Sequence, residues 1–337
     1  MKPEIIQLDQ GSGGRAMHEL IGGLFMKAFA NPLLLEGNDS ALLDRLGEGR
    51  IALTTDSYVV DPIFFPGGDI GSLAVHGTVN DLSMRGAKPL FLTVGFILEE
   101  GLEMASLARI VASMAEAARE AGVLIVAGDT KVVPRGKADK IFINTSGLGL
   151  VAPGIDIAGQ NAGPGDALLI NGTIGDHGMA VLCRREGLEL ESEIRSDSAP
   201  LNGLVAAMIE ACPKIRVLRD PTRGGVATTL NEIAEQSGVG IRLFEESLPV
   251  RPDVAGACEL LGLDPLYVAN EGKVLAIVAA DDAERVLSVM RSRRYGEQAC
   301  RIGEIVSENP GRVFLRTRIG GHRLVDMLRG EQLPRIC

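Results

Sequence analysis

Apolar residues at 104, 107, 108, 111, 114, 115 and 118 recur with helical period, and Gly122 follows as a stop. The spacing predicts a helix over 104–121. The next stretch, 123–127 (VLIVA), is a short unbroken apolar run between glycines and reads as a buried strand. The two patterns alternate along the chain. Strands are expected near 50–54, 90–97, 139–146, 166–170 and 273–280, and helices near 14–29, 71–86, 199–211, 222–237 and 281–293. Such alternation predicts an α/β (α+β) protein. The segment 151–165, VAPGIDIAGQNAGPG, is rich in Gly and Pro and has no sustained period, so two domains are expected, 1–155 and 156–329. The last stretch, 330–337 (GEQLPRIC), is too short for a further element and reads as a mobile tail.

At 337 residues the chain is long enough for two cores. Its 34 Lys and Arg against 44 Asp and Glu leave a formal charge of −10, so phosphate counterion release offers no binding energy. Aromatics are 4% with no Trp, which removes base-stacking platforms. No nucleic-acid partner is therefore expected. Apolar runs such as 89–98 are about half the ~20 residues of a membrane span, and MKPEIIQLDQ lacks a basic-then-apolar signal. No membrane association is expected. Cysteines at 183, 212, 258, 300 and 337 lie far apart without a CxxC pair, which argues against a zinc ribbon or a disulfide framework. A reduced, cytoplasmic protein is expected.

Familiar single motifs are missing: the sequence has no GxxxxGK[ST], GxSxG, HExxH or GxGxxG. It does have aspartates at turns in the first half. Asp39 lies in GNDSA, Asp56 ends IALTTDS, Asp81 lies in HGTVNDLSMRGA and Asp129 follows VLIVAG. Acids that follow buried strands gather at one edge of a sheet, and together they would suit Mg²⁺ with phosphate oxygens. Taken singly, each could equally be a turn residue. GSGG at 11–14 could hold phosphate or merely lead into a helix. Asp220 and Thr222, in DPTRGG, could cap a helix or border a phosphate. Lys131, two residues past Asp129, could balance carboxylates or remain a surface lysine, and Glu271 in NEGK could be a buried base or a turn residue. His76 and Asn80 share a helix face, but a lone histidine gives no catalytic assignment. Cys337, on a Pro-containing tail, reads as a functional thiol able to reach a neighbouring site, since eight extended residues span roughly 26 Å.

These residues carry a resemblance over nearly the whole chain. QGSGGRAMHELI (10–21), TTDSYVVDPIFFPGGDIG (54–71), GTVND (77–81), GFILEEGL (95–102), AGDTKVV (127–133), DPTRGG (220–225), NEGK (270–273) and PRIC (334–337) are similar to the HypE family of hydrogenase maturation factors, carbamoyl dehydratases of the AIR-synthetase (PurM-like) superfamily. Many members carry His where Gln10 stands. The resemblance implies a two-domain fold whose N-terminal half forms a β-barrel across a homodimer, with ATP in an adjoining cleft, and a C-terminal α/β domain. It implies that a HypF-type carbamoyltransferase loads Cys337, that ATP drives dehydration to a protein thiocyanate, and that cyanide passes through a HypC–HypD scaffold complex to the iron of [NiFe]-hydrogenase. Mg²⁺ would sit on Asp39, Asp56, Asp81 and Asp129, with Asp220 and Thr222 at the nucleotide and Glu271 and Lys131 managing the nitrogen proton. Selenophosphate synthetase and thiamine-phosphate kinase of the same superfamily, and a non-catalytic carbamoyl or cyano carrier, are the alternatives.

Overall fold

The computed structural model describes residues 5–11, 15–35, 47–188, 194–328 and 335–337. Its first half opens with α1 (Arg15–Leu20), a π turn over Ile21–Phe25, α2 (Met26–Ala28) and α3 (Pro32–Leu35). The single helix expected over 14–29 is thus interrupted, and Gly22 and Gly23 lie in the break, where backbone freedom weakens a regular α-helix. There follow β1 (Arg50–Tyr58), a small ribbon of β2 (Phe64–Phe65) and β3 (Gly68–Asp69), α4 (Ile70–Met84), β4 (Ala87–Glu99), α5 (Met104–Ala121), β5 (Leu124–Val133) and β6 (Ile141–Val151). α5 has the predicted bounds, and Gly122 ends it in the left-handed conformation. β5 runs beyond the predicted VLIVA because β4 supplies a parallel ladder that carries the turn-like residues GDTK as strand.

The four long strands pair in the order β1-β6-β4-β5, antiparallel except for β4 with β5. One face is covered by α4 and α5. The other face exposes Ile51 (59%), Leu53 (74%), Ile97 (44%) and Leu124 (42%), an apolar surface that no described residue covers. α4 is buried nearly all round, since it lies between this sheet and the second half of the chain.

The second half contains β7 (Ala167–Ile170), α6 (Asp176–Glu186), α7 (Asn202–Ala211), β8 (Val217–Arg219), α8 (Gly225–Ser237), β9 (Gly240–Phe244), α9 (Pro252–Leu261), β10 (Leu275–Val278), α10 (Ala283–Arg291), β11 (Cys300–Val306), β12 (Val313–Arg316) and β13 (His322–Val325). Its sheet has the order β13-β12-β9-β11-β7-β10-β8. β7 and β10 are buried on both faces, which explains their unbroken apolar sequences. Leu169, Ala276 and Val278 pack with α7 and α10, while Leu168, Ile170, Leu275 and Ile277 pack with α8. Among the described residues, no helix is long and apolar enough to cross a membrane.

Candidate active site

The end of the chain is docked into the body in this structure, although 330–337 reads as a mobile tail. Val59 N–H donates to the Cys337 carbonyl (3.0 Å) and Asp61 N–H to the Arg335 carbonyl (3.2 Å), a short antiparallel ladder on the strand exit after β1. Ile336 is buried, and Cys337 packs against the core of the first half. Burial pushes the Cys337 thiol up to about 12; Glu271 and Asp56 add to the rise and Arg223 opposes it. The docked thiol is therefore protonated and a poor nucleophile.

Glu271 stands beside this thiol. Asn80, on α4, donates to the Glu271 and Ala199 carbonyls (both 3.0 Å) and accepts from Leu201 N–H (2.8 Å). Asp197 accepts from Glu271 N–H at 3.2 Å. At the next residue, a Cβ on Gly272 would lie 1.8 Å from the Asp197 carbonyl, so only glycine permits this approach. The Glu271 carboxyl is buried, and its pKa is raised well above the ordinary range by that burial and then by Asp220, Asp197, Asp56 and Asp81. The same acids act on one another. Burial and Asp56 raise Asp81 against a 2.7 Å hydrogen bond from Thr54, and burial and Asp81 push Asp220 from 3.8 up to about 7.

A polar cleft of about 580 Å³ adjoins these acids. Asp81, Arg219, Asp220, Thr222, Arg223 and Thr229 are among its lining residues. The N-terminus of α8 opens at Gly224, which has φ 75° and no side-chain cap. Asp220 and Thr222 are therefore not the caps their position suggested. They are wall residues, and Thr222 instead holds the helix start through its main chain, its carbonyl accepting from Gly225 N–H at 2.9 Å. Arg223 lines the cleft, and its charge also reaches the Cys337 thiol and favours its thiolate, so one guanidinium links the cleft to the docked chain end.

The four aspartates expected to form one metal site are not gathered in a single subunit. Asp39 lies outside the described residues. Asp56 and Asp81 are neighbours on the covered side of the first sheet. Asp129 is on the opposite edge strand, paired through Gly95 and Asn144 to Ser57. Three strand spacings separate them by about 14 Å. Lys131 bonds Asp129 at 2.8 Å, and both side chains are exposed, well away from Glu271. Both acids lie within strands, and those strands are at opposite edges of the sheet. Among the described residues, no three His, Cys, Asp or Glu side chains could hold a metal ion together. The crowded Asp56–Asp81–Asp220 carboxylates instead suit a cation that brings most of its ligands with it, as Mg²⁺ does on nucleotide phosphates.

His76 is structural, as its sequence context suggested. Its Nδ1 lies 3.0 Å from Ser198 Oγ, and burial lowers its pKa to about 4. Other residues at the site were not anticipated: His177, Arg185, Asp197 and Lys273. Burial opposes charge on Asp197, but Lys273, at 2.9 Å, and His177 outweigh it and hold the carboxyl below its usual range. The available signal was GDHG (175–178), polar residues entering a helix four residues after the apolar run ALLI (167–170).

The raised acids have a consequence for stability. A carboxyl whose folded pKa is raised contributes stability that is fully present below its unfolded value and is lost as pH rises through the folded one. For Asp220 that window runs from about 3.8 to about 7. Without nucleotide or metal, the melting temperature should fall across this window, and Asp220→Asn should flatten the fall. Parallel melting curves for the two proteins would remove Asp220 from the strained group.

The chain matches the family "AIR synthase related protein, N-terminal domain" over residues 37–151 and "AIR synthase related protein, C-terminal domain" over 163–316. It is 59% identical over 332 residues to the carbamoyl dehydratase HypE of Cupriavidus necator, covering 98% of this chain and 95% of that protein. The chain belongs to the HypE family. A crystal structure of a HypE in complex with ATP superposes with a TM-score of 0.95 at 56% identity, covering 98% of this chain and 99% of that one. A HypE in a HypE–HypF complex superposes with a TM-score of 0.81 at 55% identity, covering 92% and 99%. HypE membership accounts for the two-domain PurM-like fold expected from the sequence.

Proposed function

We propose that the chain is an ATP-dependent carbamoyl dehydratase acting on a carbamoyl group carried by its own Cys337, supplying cyanide for [NiFe]-hydrogenase maturation. The carrying observation is the convergence of the Cys337 thiol, the proton-holding Glu271 and the phosphate-suited cleft at Arg223. The 59% identity to a carbamoyl dehydratase HypE and the likeness to a HypE bound to ATP support the same reading. A non-catalytic carrier would have no use for a buried carboxyl beside its thiol.

The chemistry divides between two positions of the chain end. Undocked, the Cys337 sulfur takes a carbamoyl group from a HypF-type carbamoyltransferase, a partner supported by the HypE–HypF complex. Docked, it presents S–C(=O)–NH₂ to the cleft. An amide oxygen is a poor leaving group, and phosphoryl transfer from ATP to that oxygen makes it a good one. The nitrogen loses its two protons in turn, the C–O bond breaks, and phosphate departs to leave S–C≡N and ADP. Glu271 is placed to take a nitrogen proton, and its raised pKa makes its ionised form a strong acceptor. Arg219 and Arg223, which line the cleft, hold the phosphates. Mg²⁺ on those phosphates would supply charge neutralisation. Asp56, Asp81 and Asp220 are placed to share it, with Thr222 beside the nucleotide, and Asp39 is assigned to the same set from its sequence context. Cyanide then passes to a HypC–HypD scaffold complex. We place this work in the cytoplasm, where a thiol stays reduced.

The functional units on this reading are 1–155, 156–329 and a carrier segment 330–337. We assign the open apolar face of the first sheet to a second copy of the chain. An exposed apolar sheet face calls for cover, and two-fold pairing of two such sheets gives a closed barrel. Asp129 and Lys131 lie on that face, so their part is at the subunit boundary rather than in their own subunit's cleft. Leu53→Asp should convert a dimer of roughly twice 35.6 kDa to monomer. Light scattering that shows the same mass for both proteins would sink this assignment.

The deciding experiment is the mass of the C-terminal peptide after incubation with a carbamoyltransferase, carbamoyl phosphate and ATP. A carbamoyl adduct that loses the elements of water only when ATP is present supports the reading. An adduct that never loses water, in a protein that binds ATP, leaves only a carrier.

A further inference from the structure

His177, on α6, is fully buried and sits between two polar partners. Its Nε2 is 2.8 Å from the Ile336 carbonyl oxygen, and its Nδ1 is 2.8 Å from Ser196 Oγ. A carbonyl can only accept, so Nε2 carries the hydrogen. Burial disfavours the charged ring, and in the neutral ring Nδ1 then accepts from the Ser196 hydroxyl. Ser196 Oγ in turn accepts from Ser198 N–H at 3.1 Å. The chain of donors fixes one tautomer and aims one N–H at the last peptide unit. The Phe65 ring meets the imidazole edge-on, with centroids 5.4 Å apart, and limits its rotation.

The bonds that dock the chain end are not equivalent. The Arg335 and Cys337 carbonyls accept from main-chain N–H groups, which any sequence offers, Arg185 Nη2 adds a second bond to the Arg335 carbonyl at 2.7 Å, and Arg335 Nε donates to the Val59 carbonyl at 2.9 Å. The Ile336 carbonyl points the other way, as alternate carbonyls do along an extended strand, and its partner is the His177 side chain. This bond sets the plane of the Ile336–Cys337 peptide, and with it the direction in which the Cys337 side chain leaves the backbone.

We propose that His177 is a positioning residue for the reacting cysteine: its Nε2–H holds the Ile336 carbonyl and so keeps the Cys337 sulfur, loaded or free, aimed at Glu271. The Asp197–Lys273 pair beneath it belongs to the same device. Asp197 bonds Glu271 N–H through one oxygen and pairs with Lys273 through the other, so the segment carrying Ser196 is tied to the loop carrying Glu271. Donor and base are thereby held in register. The proposal rests on the dehydratase reading for its catalytic consequence but not for the docking itself.

The test uses His177→Phe, which keeps a ring but has no N–H, and His177→Gln, whose amide can restore a donor near Nε2. Iodoacetamide labelling of Cys337, located by peptide mass, reads how often the chain end is undocked. His177→Phe should label about tenfold faster, the effect of losing one buried hydrogen bond. It should accept the carbamoyl group normally and dehydrate it at least about tenfold more slowly, whereas His177→Gln should recover most of both properties. Equal labelling of Cys337 in the folded His177→Phe and unaltered proteins overturns the proposal. So does a Gln variant as impaired as the Phe variant, which would mean that shape and not the bond matters. Should His177→Phe fail to fold, Ser196→Ala, which frees the tautomer, must raise the labelling rate or the proposal falls. Faster labelling without any dehydration in the unaltered protein would reject the dehydratase reading and leave the docking role standing.

Discussion

Cys337→Ser should form no cyano adduct, while replacement of Cys183, Cys212, Cys258 or Cys300 should each leave its formation intact. The requirement is for sulfur at one place. A thiol ionises far more readily than a serine hydroxyl, and loading takes place with the chain end undocked, away from Glu271, so the loading step fails first. The remaining thiols are badly placed to substitute. Cys183, Cys212 and Cys258 are buried and Cys300 is half-buried; burial raises the pKa of Cys183 and Cys300 and pushes Cys258 up to about 11. Cys337 also has a raised pKa when docked, but its surroundings differ in kind. It feels the charges of the cleft residue Arg223 and of the candidate base Glu271, whereas Cys183 and Cys258 lie in an apolar cluster between α6 and α9. Peptide mass decides the matter: an adduct on any other cysteine, or one that survives in Cys337→Ser, overturns the central reading.

Glu271→Gln should load carbamoyl at the normal rate and then dehydrate it about a hundredfold to ten-thousandfold more slowly, the usual span for loss of a general base. The substitution is conservative for folding. The Glu271 carboxyl already holds its proton well above the ordinary carboxylate range, so a neutral amide of the same shape resembles the resting state. What is lost is the ability to take a proton. The pH profile separates this role from a structural one. A base with a raised pKa gains active form as pH increases, so dehydration by the loaded protein should rise with pH, and Glu271→Gln should lose that rise along with the rate. Dehydration at the native rate in the Gln variant, measured on protein already loaded, would place the base elsewhere.

Local pattern was enough for much of the fold. The helix Met104–Ala121 follows from apolar spacing and a terminal glycine, both properties of neighbouring residues. The apolar runs of β7 and β10 were likewise enough to predict strands near 166–170 and 273–280, and the structure buries both on two faces. The short strands β8, β9, β11, β12 and β13 and the helices α6 and α9 lacked such a signal. Three- to seven-residue strands are held by cross-strand partners that are distant in sequence, and α6 has a polar composition with buried Asp176 and His177 on its inner turn.

The chemistry divides in the same way. Residue type and position raised Cys337 and the turn aspartates as candidates, while Glu271 and Asp220 could equally have been turn or capping residues and gained their roles from the resemblance. Only the tertiary structure decided which of them meet. It placed Asp56, Asp81, Asp220 and Glu271 together beneath the chain end, and it put Asp129 and Lys131 across the sheet, since strand order depends on pairing over long sequence distances. It also brought in His177, Asp197 and Lys273, ordinary polar residues in the sequence that acquire meaning through one carbonyl, one carboxylate and one ammonium group brought within bonding distance. The sequence by itself therefore determined the kind of chemistry and the residues able to take part. Their arrangement, and the docking that suppresses the Cys337 thiol, came from contacts between segments as distant in sequence as Val59 and Cys337.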